Sequence, residues 1–158
     1  MCRKFYETMG DFIAAVDRGD DAAVRRFLEE ENADANAADG GWPAIVRAAH
    51  GGHAATVGVL LEHRADLEAK NPQGYTALNK AVDEGHTETA RVLLKAGADA
   101  NAVARGWPAI VIAASKGHAA TVGVLIEHRA DLEAKDNDGM TALIFAAQND
   151  LADFSSRD

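Results

Sequence analysis

Sulfur chemistry is almost missing from this chain. Its one cysteine, Cys2, has no internal partner, so no disulfide braces the fold and a reducing compartment suits it. Aromatic rings are scarce too, at 6% of residues against 47% apolar, which points to a core of alanine, valine and leucine between closely packed helices. Basic charge is in deficit: 16 Lys and Arg face 25 Asp and Glu, and a formal charge of −9 argues against gripping a nucleic-acid backbone. No apolar run is long enough to span a bilayer, and the N-terminus lacks a signal-peptide core. The expectation is a soluble, cytoplasmic monomer that binds neither nucleic acid nor membrane.

What the chain does have is repetition. The stretch Gly41–Lys70 recurs as Gly106–Lys135 with 26 of 30 positions identical. Between them lies a weaker relative, GYTALNKAVDEGHTETARVLLKAGADANA, starting 33 residues after the first copy and 32 before the second. Self-similarity at this period marks a stacked array whose units cannot bury their apolar faces alone.

Residues 1–10 show no clear period and read as a loose lead-in. Helical spacing begins near Asp11 with Phe12, Ala15 and Val16; after Gly19 a second helix is capped by Asp20 or Asp21 and carries Val24, Phe27 and Leu28. The next unit opens on a Gly40-Gly41 turn, with Pro43 in the first turn of a helix running to about His50. A second helix from about Ala54 to His63 presents Val57, Leu60 and Leu61, and ADLEAK then reads as an extended arm. The following units repeat the plan with Leu78, Ala81, Val82, Ala90, Leu93 and Leu94, then with Ile110, Ala113, Ala114, Val122, Leu125 and Ile126. A last unit opens at Gly139 with Thr141, Leu143, Ala146 and Ala147 and stops early; Leu151 and Phe154 could cover it only in part.

GYTALNKAVDEGHTETARVLLKAGADANA resembles an ankyrin repeat, whose signature is G-x-T-P-L-H-x-A-A-x-x-G-H followed by V-x-x-L-L-x-x-G-A-D-x-N-A. The resemblance covers about Asp11 to Asn149. It implies an all-α solenoid of stacked antiparallel helix pairs with projecting, β-hairpin-like turns. The array would comprise a cap over 1–37, repeats over 38–70, 71–102 and 103–135, and a truncated repeat over 136–158.

Several positions depart from that signature. Where T-P-L-H belongs, two units read Pro43-Ala44-Ile45-Val46 and Pro108-Ala109-Ile110-Val111, and two read Thr76-Ala77-Leu78-Asn79 and Thr141-Ala142-Leu143-Ile144. None carries the histidine, so its bond to the threonine hydroxyl is expected to be lost. Arg64 and Arg129 replace the glycine that ends the second helix, a cost of about 1 kcal/mol each if left-handed. Gly58 and Gly123 fall inside helices at a similar cost. The arms before Gly41 and Gly106 are one residue shorter than those before Gly74 and Gly139, so two alternating hairpin geometries are expected. A less stable array than a consensus one follows.

The resemblance implies that partners sit on the concave face made by hairpin tips and first helices. Carried over position by position, that face offers Trp42, Tyr75, Trp107 and Met140 after the turn glycines. It adds His50, Asp83, Glu84, Ser115 and Lys116 near the ends of first helices, with Arg47, Lys80 and Arg105 setting electrostatic fit. The three rings and the methionine read as a ladder of interface anchors, or as rings packed on neighbouring hairpins and prolines. Three of the four differences between the long copies, at positions 47/112, 50/115 and 51/116, fall on the first helix, as expected of one scaffold presenting different contacts or of drift on a free surface.

Catalytic motifs are absent from the sequence: there is no G-x-S-x-G turn and no phosphate loop. His53, His86 and His118 recur once per unit, about 10 Å apart, too far to share a zinc ion, and read as capping or loop residues. His63 and His128 suit helix C-termini. No metal or cofactor is expected. Asn101 resembles an asparagine hydroxylated in many ankyrin arms, although Ala100 precedes it instead of Val or Ile. The reading is a non-catalytic protein–protein interaction module. Its alternatives are an architectural or regulatory segment of a larger protein, or an engineered or recently duplicated scaffold without a native partner. Self-association through the C-terminal end is a further expectation to weigh.

Overall fold

A computed structural model describes the backbone of residues 2–155 and the side chains of residues 9–149. Its helices come in pairs, α1 (Cys2–Arg18) with α2 (Asp21–Glu30), α3 (Ala44–His50) with α4 (Ala54–Glu62), α5 (Ala77–Asp83) with α6 (Thr87–Lys95), and α7 (Ala109–Ser115) with α8 (Ala119–Glu127). A single helix follows, α9 (Ala142–Ser155). First helices pack on first helices, α1 to α3 to α5 to α7 to α9, and second helices on second helices, α2 to α4 to α6 to α8. None of the short helices would be stable alone in water, and packing supplies what propensity cannot. Ala48, Ala49, Ala81, Ala113 and Ala114 are buried between first helices, where a small side chain lets the axes approach. Phe12, Val24, Ile45, Leu60, Leu78, Leu93, Ile110 and Leu125 run through these layers as one continuous core.

Two kinds of hairpin alternate between the pairs. Strands β1 (Ala38–Asp39) and β2 (Trp42–Pro43) pair antiparallel across Gly40-Gly41, and β3 (Val103–Ala104) and β4 (Trp107–Pro108) do so across Arg105-Gly106. Both central residues of each turn have positive φ, 59° and 79° in the first and 54° and 84° in the second, which matches the twist of the strands. The other two arms are closed by a side chain instead. Asn71 Oδ1 accepts from the amides of Gln73 and Tyr75, and Asp136 Oδ1 accepts from those of Asp138 and Met140. The extra residue in these arms makes room for that turn, so the alternation expected from arm length is present.

The helix starts alternate in step. At α5, Thr76 Oγ1 accepts from the Asn79 amide while Asn79 Oδ1 accepts from both the amide and the hydroxyl of Thr76, a reciprocal cap. Asn79 Nδ2 also donates to the Ala102 carbonyl in the next arm. The threonine bond thought lost with the histidine is therefore supplied by asparagine in this unit. At α3 and α7 the cap residues are Pro43 and Pro108, one position earlier than the first helical turn, and no side chain caps them. Proline has no N–H to satisfy, so the apolar Val46 and Val111 can fill the site that Asn79 fills elsewhere.

Other expectations need correction. Helix α1 begins at Cys2 and not near Asp11: residues 2–9 contain no helix breaker, so the buried turn around Phe12 extends outward. ADLEAK is not extended: Asp66 Oδ1 and Asp131 Oδ1 accept from the amides two residues on and fold each arm into a turn. The first helix of the last unit does not end where its counterparts do: Gln148-Asn149-Asp150 stands where they have their glycine pause, and α9 runs on to Ser155. Leu143, Ala146 and Ala147 lie exposed there, since among the described residues no further pair covers them, and Ile126 is exposed for the same reason. The packing expected of Leu151 and Phe154 lies outside the described side chains, as does that of Cys2. Arg64 and Arg129 are left-handed, with φ of 64° and 63°, so the cost conditional on that conformation applies. No helix among the described residues is long and apolar enough to cross a membrane.

Candidate interaction face

The glycines that pause the chain between paired helices also lock one pair to the next. Gly52 and Gly85 have φ of 74° and 75°, and a Cβ on them would lie 2.7 Å and 2.8 Å from the rings of His86 and His118. Each ring fits against the glycine of the preceding pair and bonds a carbonyl there: His53 Nε2 to Asp17 O at 3.0 Å, His86 to His50 O at 3.0 Å, His118 to Asp83 O at 3.2 Å. A carbonyl only accepts, so Nε2 carries the hydrogen in all three. These histidines occupy cap positions but make no cap bond with their side chains; they are bolts between units. Asn149 takes a related part at α9, donating to the Ala114 carbonyl.

This locking holds the ends of the first helices in a row, and the candidate residues lie along it. Arg47 grips Asp17 with two bonds, Nε to Oδ1 at 2.7 Å and a terminal nitrogen to Oδ2 at 2.6 Å, and these hold its pKa above the ordinary arginine value despite partial burial. At Lys80, burial lowers the pKa, but hydrogen bonds and charges from Glu84 and Asp83 outweigh it and leave the ammonium above its usual value. Its Nζ lies 3.1 Å from Glu84 and 3.2 Å from Asp83. Lys116 reaches Asp83 from the next unit at 3.6 Å, and His50 meets Glu84 from the preceding one at 3.2 Å. Five predicted residues thus form one mutually neutralising cluster. Ser115 donates its hydroxyl to its own helix, at Ile112 O.

The aromatic residues do not form a stacked ladder among the described residues. Trp42 lies against His50, centroids 5.9 Å apart; Trp107 lies against Phe145 of α9 at 5.6 Å; the Tyr75 ring lies under Lys80 Nζ at 5.3 Å. Each ring meets a side chain of a first helix and stays half-exposed, as does Met140. Arg105 is exposed at its turn and its carbonyl accepts from Asn137. Asn101 is exposed and bonds the Asp131 amide through Oδ1. His128 bonds its own helix at Val124 O.

Sequence reading missed Asp17 and Phe145, and took Ile112 only as a difference between the copies. Asp17 sits 33 residues before His50, so extending the repeat register into the first pair would have placed it on this face. Ile112 and Phe145 continue the column of Arg47 and Lys80, so the face turns from charged to apolar toward α9.

A family model described as ankyrin repeats (3 copies) matches residues 12–104 and again 102–155. The chain belongs to the ankyrin-repeat family. A search among curated proteins finds no match. Ankyrin repeats are generally protein–protein interaction modules, and the family is generally non-catalytic. Among the described residues of this ankyrin array, no group of three or more His, Cys, Asp or Glu is placed to hold a metal ion.

Proposed function

We propose that this ankyrin array is a non-catalytic binding module whose partner is a protein seated on the hairpin tips and first helices. The observation that carries the reading is the row of half-exposed rings, Trp42, Tyr75 and Trp107, each propped on a helix beside the charged cluster around Asp83 and Glu84. A rigid, half-buried ring loses little freedom when a partner covers the rest of it, and interface anchors are drawn from such residues. Charged neighbours that already neutralise one another need little desolvation and favour a partner with matched polar groups over a strongly charged one. Met140, Arg105, Ser115 and Lys116 would border the contact.

Photo-crosslinking in the source cells tests this. A photoreactive side chain at Tyr75 should capture a protein that the same group at Arg91, on α6, does not, and Trp42→Ala with Trp107→Ala should abolish the capture. Equal capture from both positions, or capture indifferent to the two tryptophans, would defeat the proposal.

A further inference from the structure

The two long copies provide an internal control for a second surface. In the first copy, α6 packs on both α4 and α5. Beneath it Val57, Leu78 and Ala81 are fully buried, and Leu61 and Leu67 are half-buried. Around the second copy the equivalent elements are α8, which differs from α4 only at Ile126, and α9, which shares with α5 its start Ala-Leu and the alanine three residues on, yet no described helix lies where α6 would. The result is a groove of about 590 Å³ whose lining includes Val122, Ile126, Leu132, Leu143 and Ala146. Ile126 is 48% exposed, Leu132 51% and Leu143 77%. With Ile144 at its side, this is where nearly all the exposed large apolar residues of the described chain collect.

The polar edge of the groove is duplicated as well. Glu68 accepts from the Asp99 amide, just past the end of α6, at 3.2 Å. Its counterpart Glu133 lines the groove, and among the described residues its carboxylate meets no donor. Helix α9 runs on through Ser155 without the glycine turn that brings α6 back along α5, so this part of the chain does not fold into the space.

We infer that the groove between α8 and α9 is a docking site for a short amphipathic helix of another polypeptide with the pattern of α6. Such a helix carries Thr, Ala, Leu and Leu at the places of Thr89, Ala90, Leu93 and Leu94, the buried stripe of α6. It ends in a turn whose free amide meets Glu133. The face it would cover has already selected that stripe once, on α4, where the chain is almost identical. A second copy of this chain fits less well. Two-fold pairing of grooves would set Glu133 against Glu133 between molecules of charge −9, with no cation in the lining to offset it. Neither the three rings nor Met140 lines the groove, so the site stands or falls separately from the aromatic row.

The probe is a labelled peptide of residues 83–100, which spans α6 and its closing turn, with a scrambled peptide as control. Fluorescence anisotropy with the whole chain should show saturable binding of the first peptide alone. Ala146 is exposed, so Ala146→Arg should leave the circular dichroism melt unchanged. It should weaken peptide binding about tenfold or more by putting a bulky charged side chain where the apolar stripe of the peptide would lie. Absence of binding at millimolar peptide overturns the inference, and so does binding that Ala146→Arg leaves intact. A dimer in sedimentation equilibrium that Ala146→Arg dissociates overturns it in favour of a second copy as occupant.

Discussion

The stretches 41–70 and 106–135 differ at four positions in thirty, yet they do not fold into equivalent surroundings. The first is enclosed by α1–α2 on one side and α5–α6 on the other; the second is enclosed by α5–α6 and then by α9 alone. Leu67 is half-buried and its counterpart Leu132 is 51% exposed, although each sits in the same hexapeptide. Identical sequence thus gives identical local structure but not identical burial, because burial in a stacked array belongs to the neighbours.

The sharpest break in that comparison lies at Thr-Ala-Leu, which occurs at 76–78 and again at 141–143. Leu78 is 1% exposed and Leu143 77%. Leu78→Ala should destabilise by about 3 kcal/mol, the transfer loss plus the cavity left between packed helices. Leu143→Ala should change stability by less than about 0.5 kcal/mol. Urea melts of both variants decide it, and equal losses would mean that the last helix is covered in solution.

The helix starts offer a second contrast. Asn79→Ala should cost about 2 kcal/mol, since it strips partners from the Thr76 amide and hydroxyl and from the Ala102 carbonyl in a buried place. Val46→Thr, at the equivalent place of α3, gains nothing from its hydroxyl, because Pro43 offers no N–H to accept from. If Asn79→Ala melted like the parent chain, the reciprocal cap would not be what closes α5.

In the third contrast, substitution should stabilise. Gly58 and Gly123 lie at matching places inside α4 and α8, and a Cβ on either would meet nothing within 4 Å. Gly58→Ala and Gly123→Ala should each add up to about 1 kcal/mol by lowering the entropy of the unfolded chain. Gly52, which lies between α3 and α4, should respond oppositely: its positive φ and the His86 ring leave no place for a methyl group. A shared direction for Gly58→Ala and Gly52→Ala would contradict the inter-unit lock.

What the sequence made legible was periodic. Glycine spacing and apolar stripes located the helix pairs, and the arm lengths located the two hairpin types. Contacts that cross the stack were not legible, because they join residues about one unit apart, 30 positions in Arg47 with Asp17 and 36 in His86 with His50. Their pairing depends on how one unit rotates over the next, which no pattern within a unit encodes. The aromatic row was legible as a row, but the helix residues beside each ring, His50, Lys80 and Phe145, were not, since a ring's position in a repeat does not say which side chain it meets. Ile126 and Leu143 read as core for a related reason: their apolar character is that of covered residues, and among the described residues nothing covers them.

The smallest expected effect concerns a difference between the copies themselves. Position 47 holds arginine in the first copy and its equivalent, Ile112, is buried in the second. Arg47 lies against Asp17, which occupies the place that Asp83 occupies for Ile112, so the surroundings alone do not demand a cation. The Arg47–Asp17 pair is two-pronged but partly solvated, with side chains 23% and 41% exposed, which limits it to below about 1 kcal/mol. Arg47→Ile should therefore lose about that much at low salt and less at 1 M, where screening acts over about 3 Å. If arginine serves only the fold, the loss should vanish in salt and partner capture should persist. If it serves the face, capture should fail while the melt barely moves. An Arg47→Ile chain that melts higher than its parent at every salt concentration would show that the ion pair never offset its own desolvation.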